Sequence, residues 1–141
     1  MRKLIFIGAL SAVVMSCQSN LNVGAGPQIE EERLVPTYSE LKLEGSIDVV
    51  ITQDTSYVVL VDAPENLMPH IKTEVTGNEL RIWEANNHVI HTRGATVYLS
   101  QNYLDRIEIA GSGDIDGTGL SSSAGRIIIE GSGDIDLGLT A

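Results

Sequence analysis

Only one cysteine, Cys17, occurs in the 141 residues. One thiol cannot close an internal disulfide, so a disulfide-stapled scaffold is excluded. Aromatic residues are also few: one Phe, one Trp and four Tyr. Any core must therefore be built from aliphatic side chains. Positive charge is short as well, with nine Lys and Arg against 19 Asp and Glu, a net charge of −10. Such a balance argues against nucleic acid or an anionic bilayer surface as partner, because both repel it. Long apolar runs are missing too. The one apolar stretch, Leu4 to Met15, is interrupted by Gly8 and Ser11. It falls short of the ~20 residues that a spanning helix needs.

That stretch is nonetheless informative. Arg2 and Lys3 precede it and Ser16-Cys17 follows it. A basic start, a short apolar segment and then small residues read as a secretory signal. Val14-Met15-Ser16-Cys17 is similar to a lipobox, the site at which a bacterial thiol is diacylated and the chain is cut just before it. Met15 is bulkier than the usual occupant, and Val14 stands where Leu is commoner. The alternative is an ordinary signal with an incidental cysteine. The expectation is a signal peptide over 1–16 and a lipid on Cys17, two acyl chains being enough for stable anchoring. Cleavage removes Arg2 and Lys3 and leaves seven basic residues against 19 acidic ones, a net charge of −12.

Residues 17–35 read as the lipidated cysteine and a flexible tether. Gln18 to Gln28 is rich in Asn, Gly and Ser, and Glu30-Glu31-Glu32 follows as a short acidic run. Such composition buries little apolar surface. Strand patterning begins near Tyr38. Leu41 and Leu43 alternate with polar neighbours, as do Ile47, Val49 and Ile51, then Tyr57, Val59 and Val61. Period two with β-branched enrichment predicts strands. Asn66 to His70 suits one helical turn. Thr76-Gly77-Asn78-Glu79 predicts a hairpin, because Gly and Asn tolerate positive φ. Ala85 to Gly94 reads as a polar loop.

The last third carries the strongest pattern. Arg106-Ile107-Glu108-Ile109-Ala110-Gly111-Ser112-Gly113-Asp114-Ile115-Asp116 recurs 20 residues later as Arg126-Ile127-Ile128-Ile129-Glu130-Gly131-Ser132-Gly133-Asp134-Ile135-Asp136. Leu120 and Leu139 close the two units. Leu41 to Val49 is a weaker upstream echo. A fixed period of this length predicts a solenoid of stacked coils. Ile107, Ile109 and Ile115 would face inward, with Ile127, Ile129 and Ile135 stacked above them.

With these motifs the chain resembles the head GIN domain family, whose name includes the words auto-transporter adhesin and which is common in Bacteroidetes. The matching elements are Leu43-Glu44-Gly45-Ser46-Ile47-Asp48-Val49, Ala63-Pro64-Glu65-Asn66, Gly77-Asn78-Glu79-Leu80-Arg81-Ile82, Leu104-Asp105-Arg106-Ile107 and both Gly-Ser-Gly-Asp-Ile units. They run in family order over about residues 36–141. Each is weak alone; the ordered set is specific. The resemblance implies an all-β, right-handed parallel β-helix-like solenoid on an exported, often lipid-anchored protein. It brings no catalytic residue. Family members usually continue for further Gly-Ser-Gly coils, whereas this chain stops at Ala141, so a solenoid truncated at its C-terminus is expected. If it is not truncated, self-association through the open end would bury Ile127, Ile129 and Ile135.

Four carboxylates are the candidate cation ligands. Asp114 and Asp116 flank Ile115 and should point outward, with Asp134 and Asp136 one coil above at about 4.8 Å. Like charges at that spacing repel by roughly 1 kcal/mol in water. Ca²⁺ would remove that penalty, but solvated aspartates also tolerate it, so no cofactor is required. His70, His88 and His91 lack the further ligands that a metal centre needs. Ser112 and Ser132 sit in Gly-Ser-Gly rather than in a nucleophile elbow. A polysaccharide-active enzyme would have to use the four aspartates, yet equivalent stacked positions do not split an acid from a base. Sugar binding often uses exposed aromatic platforms. Trp83 is a candidate platform or a core residue.

The reading is therefore a non-catalytic cell-envelope lipoprotein with a binding or adhesion module for a protein or glycan ligand. A periplasm-facing structural or sensing role is the alternative.

Overall fold

The computed structural model describes residues 26–54, 56–85, 94–117, 120 and 125–138. Eleven strands form there: β1 (Gln28–Arg33), β2 (Glu40–Gly45), β3 (Asp48–Thr52), β4 (Val59–Pro64), β5 (Ile71–Thr76), β6 (Glu79–Glu84), β7 (Thr96–Ser100), β8 (Arg106–Gly111), β9 (Ile115–Asp116), β10 (Arg126–Gly131) and β11 (Ile135–Asp136). A single 3-10 turn, Met68–His70, fits the helical turn expected there. The described residues hold no helix long and apolar enough to cross a membrane.

The strands make two sheets, ordered β1-β4-β7-β3-β9-β11 and β10-β8-β2-β6-β5. Alternation builds the core between them. Leu41 and Leu43 of β2, Val49 and Ile51 of β3, Leu80 and Ile82 of β6, and Ile107 and Ile109 of β8 are each at most 1% exposed. All belong to one aliphatic cluster, with Tyr38 as its sole buried aromatic ring. Burying a Leu, Ile or Val side chain contributes about 1.5–3 kcal/mol, which is how a chain without disulfides holds together.

The repeat pairs as its spacing predicts. β10 lies parallel to β8 with Ile127 opposite Ile107 and Gly131 opposite Gly111. β11 lies parallel to β9 with Ile135 opposite Ile115. The upstream echo joins the same stack, Gly45 opposite Gly111 and Val49 opposite Ile115.

The expected right-handed parallel solenoid is not what forms. Both sheets are mixed, and the architecture is β-sandwich-like. β1 runs antiparallel to β4, β4 to β7, and β5 to β6. Strand order also departs from chain order, since β8 packs beside β2 and the segment from β4 to β7 lies on the other side of the echo. The hairpin at Gly77-Asn78 is the reason for the β5–β6 pair, and reversals between segments far apart in the chain set β1–β4 and β4–β7. A two-residue turn reverses the chain, and a reversed strand pairs antiparallel instead of climbing one coil. The 20-residue period governs two units and their echo, not the whole domain.

The acidic segment read as tether is ordered in part. Glu30, Glu31 and Glu32 lie in β1, an edge strand whose pairing runs from Gln28 opposite Pro64 to Arg33 opposite Val59. Arg33 secures it by donating to the carbonyls of Ile71 and Met68, both at 3.4 Å. An edge strand needs one apolar contact face only at intervals, and Ile29 provides it against the core. Charges on the remaining positions suit an edge, where they discourage pairing with other chains.

Ile127 and Ile129 hold the predicted register yet are each 47% exposed, because β10 is the outermost strand of its sheet.

Candidate functional site

The strand register defines two ends of the sandwich. At one end β2 passes to β3, β8 to β9 and β10 to β11 through the Gly-Ser corners at 45–48, 111–114 and 131–134. At the other end β3 and β7 finish and β2, β4, β6 and β8 begin. The four candidate aspartates belong to the first end, and all four are exposed.

One of the four, Asp114, proves to be a structural brace, as does Asp48 of the upstream echo. The Asp114 backbone N–H donates to Asp48 Oδ1 at 3.0 Å, and the Asp134 N–H donates to Asp114 Oδ1 at 2.9 Å. Each carboxylate thus accepts the amide of the coil above it, and the like-charge stack is offset by charge-assisted hydrogen bonds. The upstream echo is the third rung, and its Asp48 was the clue in the chain. Asp116 and Asp136 pair in register on the outer face of β9 and β11. Among the described residues, no group of three or more His, Cys, Asp or Glu is placed to hold a metal ion. Asp114→Ala should lower stability by about 1 kcal/mol in urea unfolding. Asp114→Asn, which keeps the acceptor oxygen, should restore most of the loss.

His88 and His91 lie outside the described residues, as does Cys17. Ser112 and Ser132 are exposed at the corners. Trp83 is half-buried on β6, with the Arg81 guanidinium 4.3 Å from its ring centroid. That stacking, and the Arg81–Glu44 ion pair at 2.6 Å, make it part of a charged outer sheet face rather than a free platform.

A cleft of about 250 Å³ opens at the opposite end. Thr37, Tyr38 and Ser39 line it just before β2, Asn78 just before β6, and Tyr103 ahead of β8. Tyr57 and Gln101 complete it from the start of β4 and the end of β7. Three of the four tyrosines therefore converge on one concavity. Tyr57 continues the alternation of Val59 and Val61, but its φ of 52° turns it out of the core, and it is 43% exposed. A bulky residue in this region costs of order 1–3 kcal/mol, and such strain gathers at functional sites. Asp54 braces the turn, its carboxylate accepting from the Ser56 N–H at 3.3 Å and the Ser56 hydroxyl at 3.1 Å.

The cleft floor is fixed. Gln101 is 1% exposed and donates from Nε2 to the Tyr38 carbonyl at 2.7 Å. Its Oε1 accepts from the Asn102 N–H at 3.1 Å. Burial pushes the Tyr38 phenol well above the ordinary tyrosine range. Tyr103 donates its hydroxyl to Asp105, and that hydrogen bond raises its pKa. Both phenols thus stay neutral at physiological pH. The cleft contains no acid–base pair; it offers ring faces, hydroxyls and amides. Sequence reasoning missed it because its parts come from four separate turns. Tyrosine at unburied positions in an aromatic-poor chain was the available signal.

Comparison with known proteins agrees with the fold. A family model described as "Putative auto-transporter adhesin, head GIN domain" matches residues 37–141. No curated protein matches. The chain is similar in structure to a "putative adhesin" from Bacteroides fragilis, with a TM-score of 0.66 at 18% identity over 81% of this chain and 54% of that one. It is similar also to a "putative adhesin" from Parabacteroides merdae, with a TM-score of 0.58 at 18% identity over 67% of this chain and 41% of that one. A "Putative lipid binding protein" from Parabacteroides distasonis aligns with a TM-score of 0.58 at 20% identity, over 81% of this chain and 61% of that one. The chain thus spans about half the length of the first of these structures. At such identities the likeness is one of fold. The ordered motifs and the family match over 37–141 together establish that this chain belongs to the head GIN domain family.

Proposed function

We propose that the chain is a non-catalytic binding module of the cell envelope, held at a membrane by lipid on Cys17 and presenting the tyrosine cleft to its ligand. The observation that carries this reading is the polarity of the domain. β1 enters at Gln28, opposite Pro64, and ends at Arg33, opposite Val59. Tyr57, on the cleft, lies two residues before Val59. Six strand residues span about 20 Å, so the cleft opens at the end of the sandwich far from the side on which the chain arrives from Cys17. An anchored binding module needs that arrangement. Family membership supports adhesion as the use of such a module.

A periplasm-facing role is the second reading. Gln18-Ser19-Asn20-Leu21-Asn22 carries no acidic residue after Cys17, and surface lipoproteins of Bacteroidetes often do.

Protease shaving of intact cells, with a C-terminal tag and a lipid label, tests both. The label should depend on Cys17 and vanish in Cys17→Ala. Loss of the tag from intact wild-type cells supports surface display. A tag protected until lysis overturns adhesion and leaves the periplasmic role. A label that persists in Cys17→Ala overturns lipid anchoring at this residue.

A further inference from the structure

We infer that the tyrosine cleft is a carbohydrate subsite that takes one ring of an uncharged glycan. The inference rests on the binding-module reading and names its ligand class. Its first support is the chemistry of the lining. The Ser39 hydroxyl and the Asn78 amide stand beside the Tyr57 and Tyr103 rings, above the buried and internally bonded Gln101, and none of the lining side chains carries a formal charge. In a chain of net charge −10 that neutrality is selective. The neighbouring carboxylates are engaged elsewhere: Glu40 and Glu79 lie 3.9 and 3.7 Å from the Arg106 guanidinium, and Asp105 accepts from the Tyr103 hydroxyl. Sugars present hydroxyls that both donate and accept, and groups such as Ser hydroxyls and Asn amides do the same.

The second support is the exposure of the rings. Tyr57 and Tyr103 are 43% and 46% exposed, although the core uses almost no aromatic residues. The face of an aromatic ring carries negative potential, and the C–H face of a pyranose is its complement. The φ of 52° at Tyr57 keeps its ring at the cleft instead of in line with Val59.

Size is the third support. The cleft holds about 250 Å³, just below the range of about 300–1,000 Å³ typical of small-molecule pockets. One monosaccharide ring suits it, with the rest of a chain leaving through the open mouth. A peptide anchor is a poorer match, because hot-spot side chains seek deep, desolvated pockets.

The test is titration of the full chain in detergent micelles against an array of neutral oligosaccharides ending in hexose or N-acetylhexosamine. Sulfated and sialylated glycans form the comparison set. Neutral glycans should bind saturably, and the charged set more weakly. Tyr57→Ala and Tyr103→Ala should each weaken binding about tenfold, close to 1.4 kcal/mol, while Tyr57→Phe keeps most of it. Melting curves of the variants check that the fold is intact. Binding that survives both alanine variants overturns the cleft as the site and leaves the module reading standing. Preference for charged glycans, or no binding by the wild-type chain, overturns the neutral-sugar inference. The module reading is then judged by the shaving result alone.

Discussion

Gly113→Ala should destabilise the domain by about 3 kcal/mol or more, because a methyl at this corner meets backbone that cannot give way. A Cβ on Gly113 would lie 2.1 Å from the Ile47 carbonyl oxygen and 3.1 Å from Leu43 Cδ2. The corner rests on the one beneath it through main-chain contacts, the Gly113 N–H donating to the Gly45 carbonyl at 3.1 Å. Lifting the corner to admit the methyl would stretch that bond and the parallel pairing of β8 with β2. In a domain of this size the loss corresponds to a fall in melting temperature of more than about 10 °C. Gly133→Ala provides the contrast. Its Cβ would meet the Gly113 carbonyl oxygen at 2.2 Å, but β11 is the outermost strand of its sheet and can move outward. Its loss should be markedly smaller. Equal losses in thermal unfolding would refute the packing argument.

A second large difference separates two residues at equivalent places in the repeat. Ile109→Ala should cost about 2–5 kcal/mol, since Ile109 is fully buried in the core cluster and its removal leaves a cavity beside Leu43, its partner on β2. Ile129→Ala should cost less than about 1 kcal/mol, because Ile129 is 47% exposed and already gives up little contact with water. The two isoleucines face each other across the β8–β10 ladder. Urea unfolding of the pair measures the difference directly. A comparable loss in both would mean that β10 is covered in solution, by self-association or by another segment.

The cleft ties these energetics to binding. Tyr57 occupies a backbone conformation that stability alone would assign to glycine. The domain retains a strained tyrosine at the far end of its sandwich while its core cluster is aliphatic but for Tyr38 and Met68. Proteins tolerate such local cost where the side chain has a use outside folding. The corner end, in contrast, is satisfied by itself, with Asp48 and Asp114 each accepting the amide of the next rung.

Local patterning was enough to place most strands. Alternation at Leu41–Leu43, Val49–Ile51 and Ile107–Ile109 marks inward faces because side chains in a strand point to opposite sides in turn. The 20-residue offset identified the in-register pairing of β8 with β10 and β9 with β11, since similar short strands joined by identical Gly-Ser-Gly-Asp corners stack on one another. Gly77-Asn78 marked its hairpin through turn chemistry. What periodicity could not convey is which strand lies beside which. Mixed sheets arise from reversals between distant segments, and pairing partners such as Val59 with Leu99 carry no local signature. The same holds for the acidic β1, whose residues read as a spacer until β4 supplies a ladder for them. Burial of Ile109 and exposure of Ile129 differ only through position in the stack. The tyrosine cleft exists because four turns meet at one end of the sandwich, and proximity of that kind is created by folding, not by spacing along the chain.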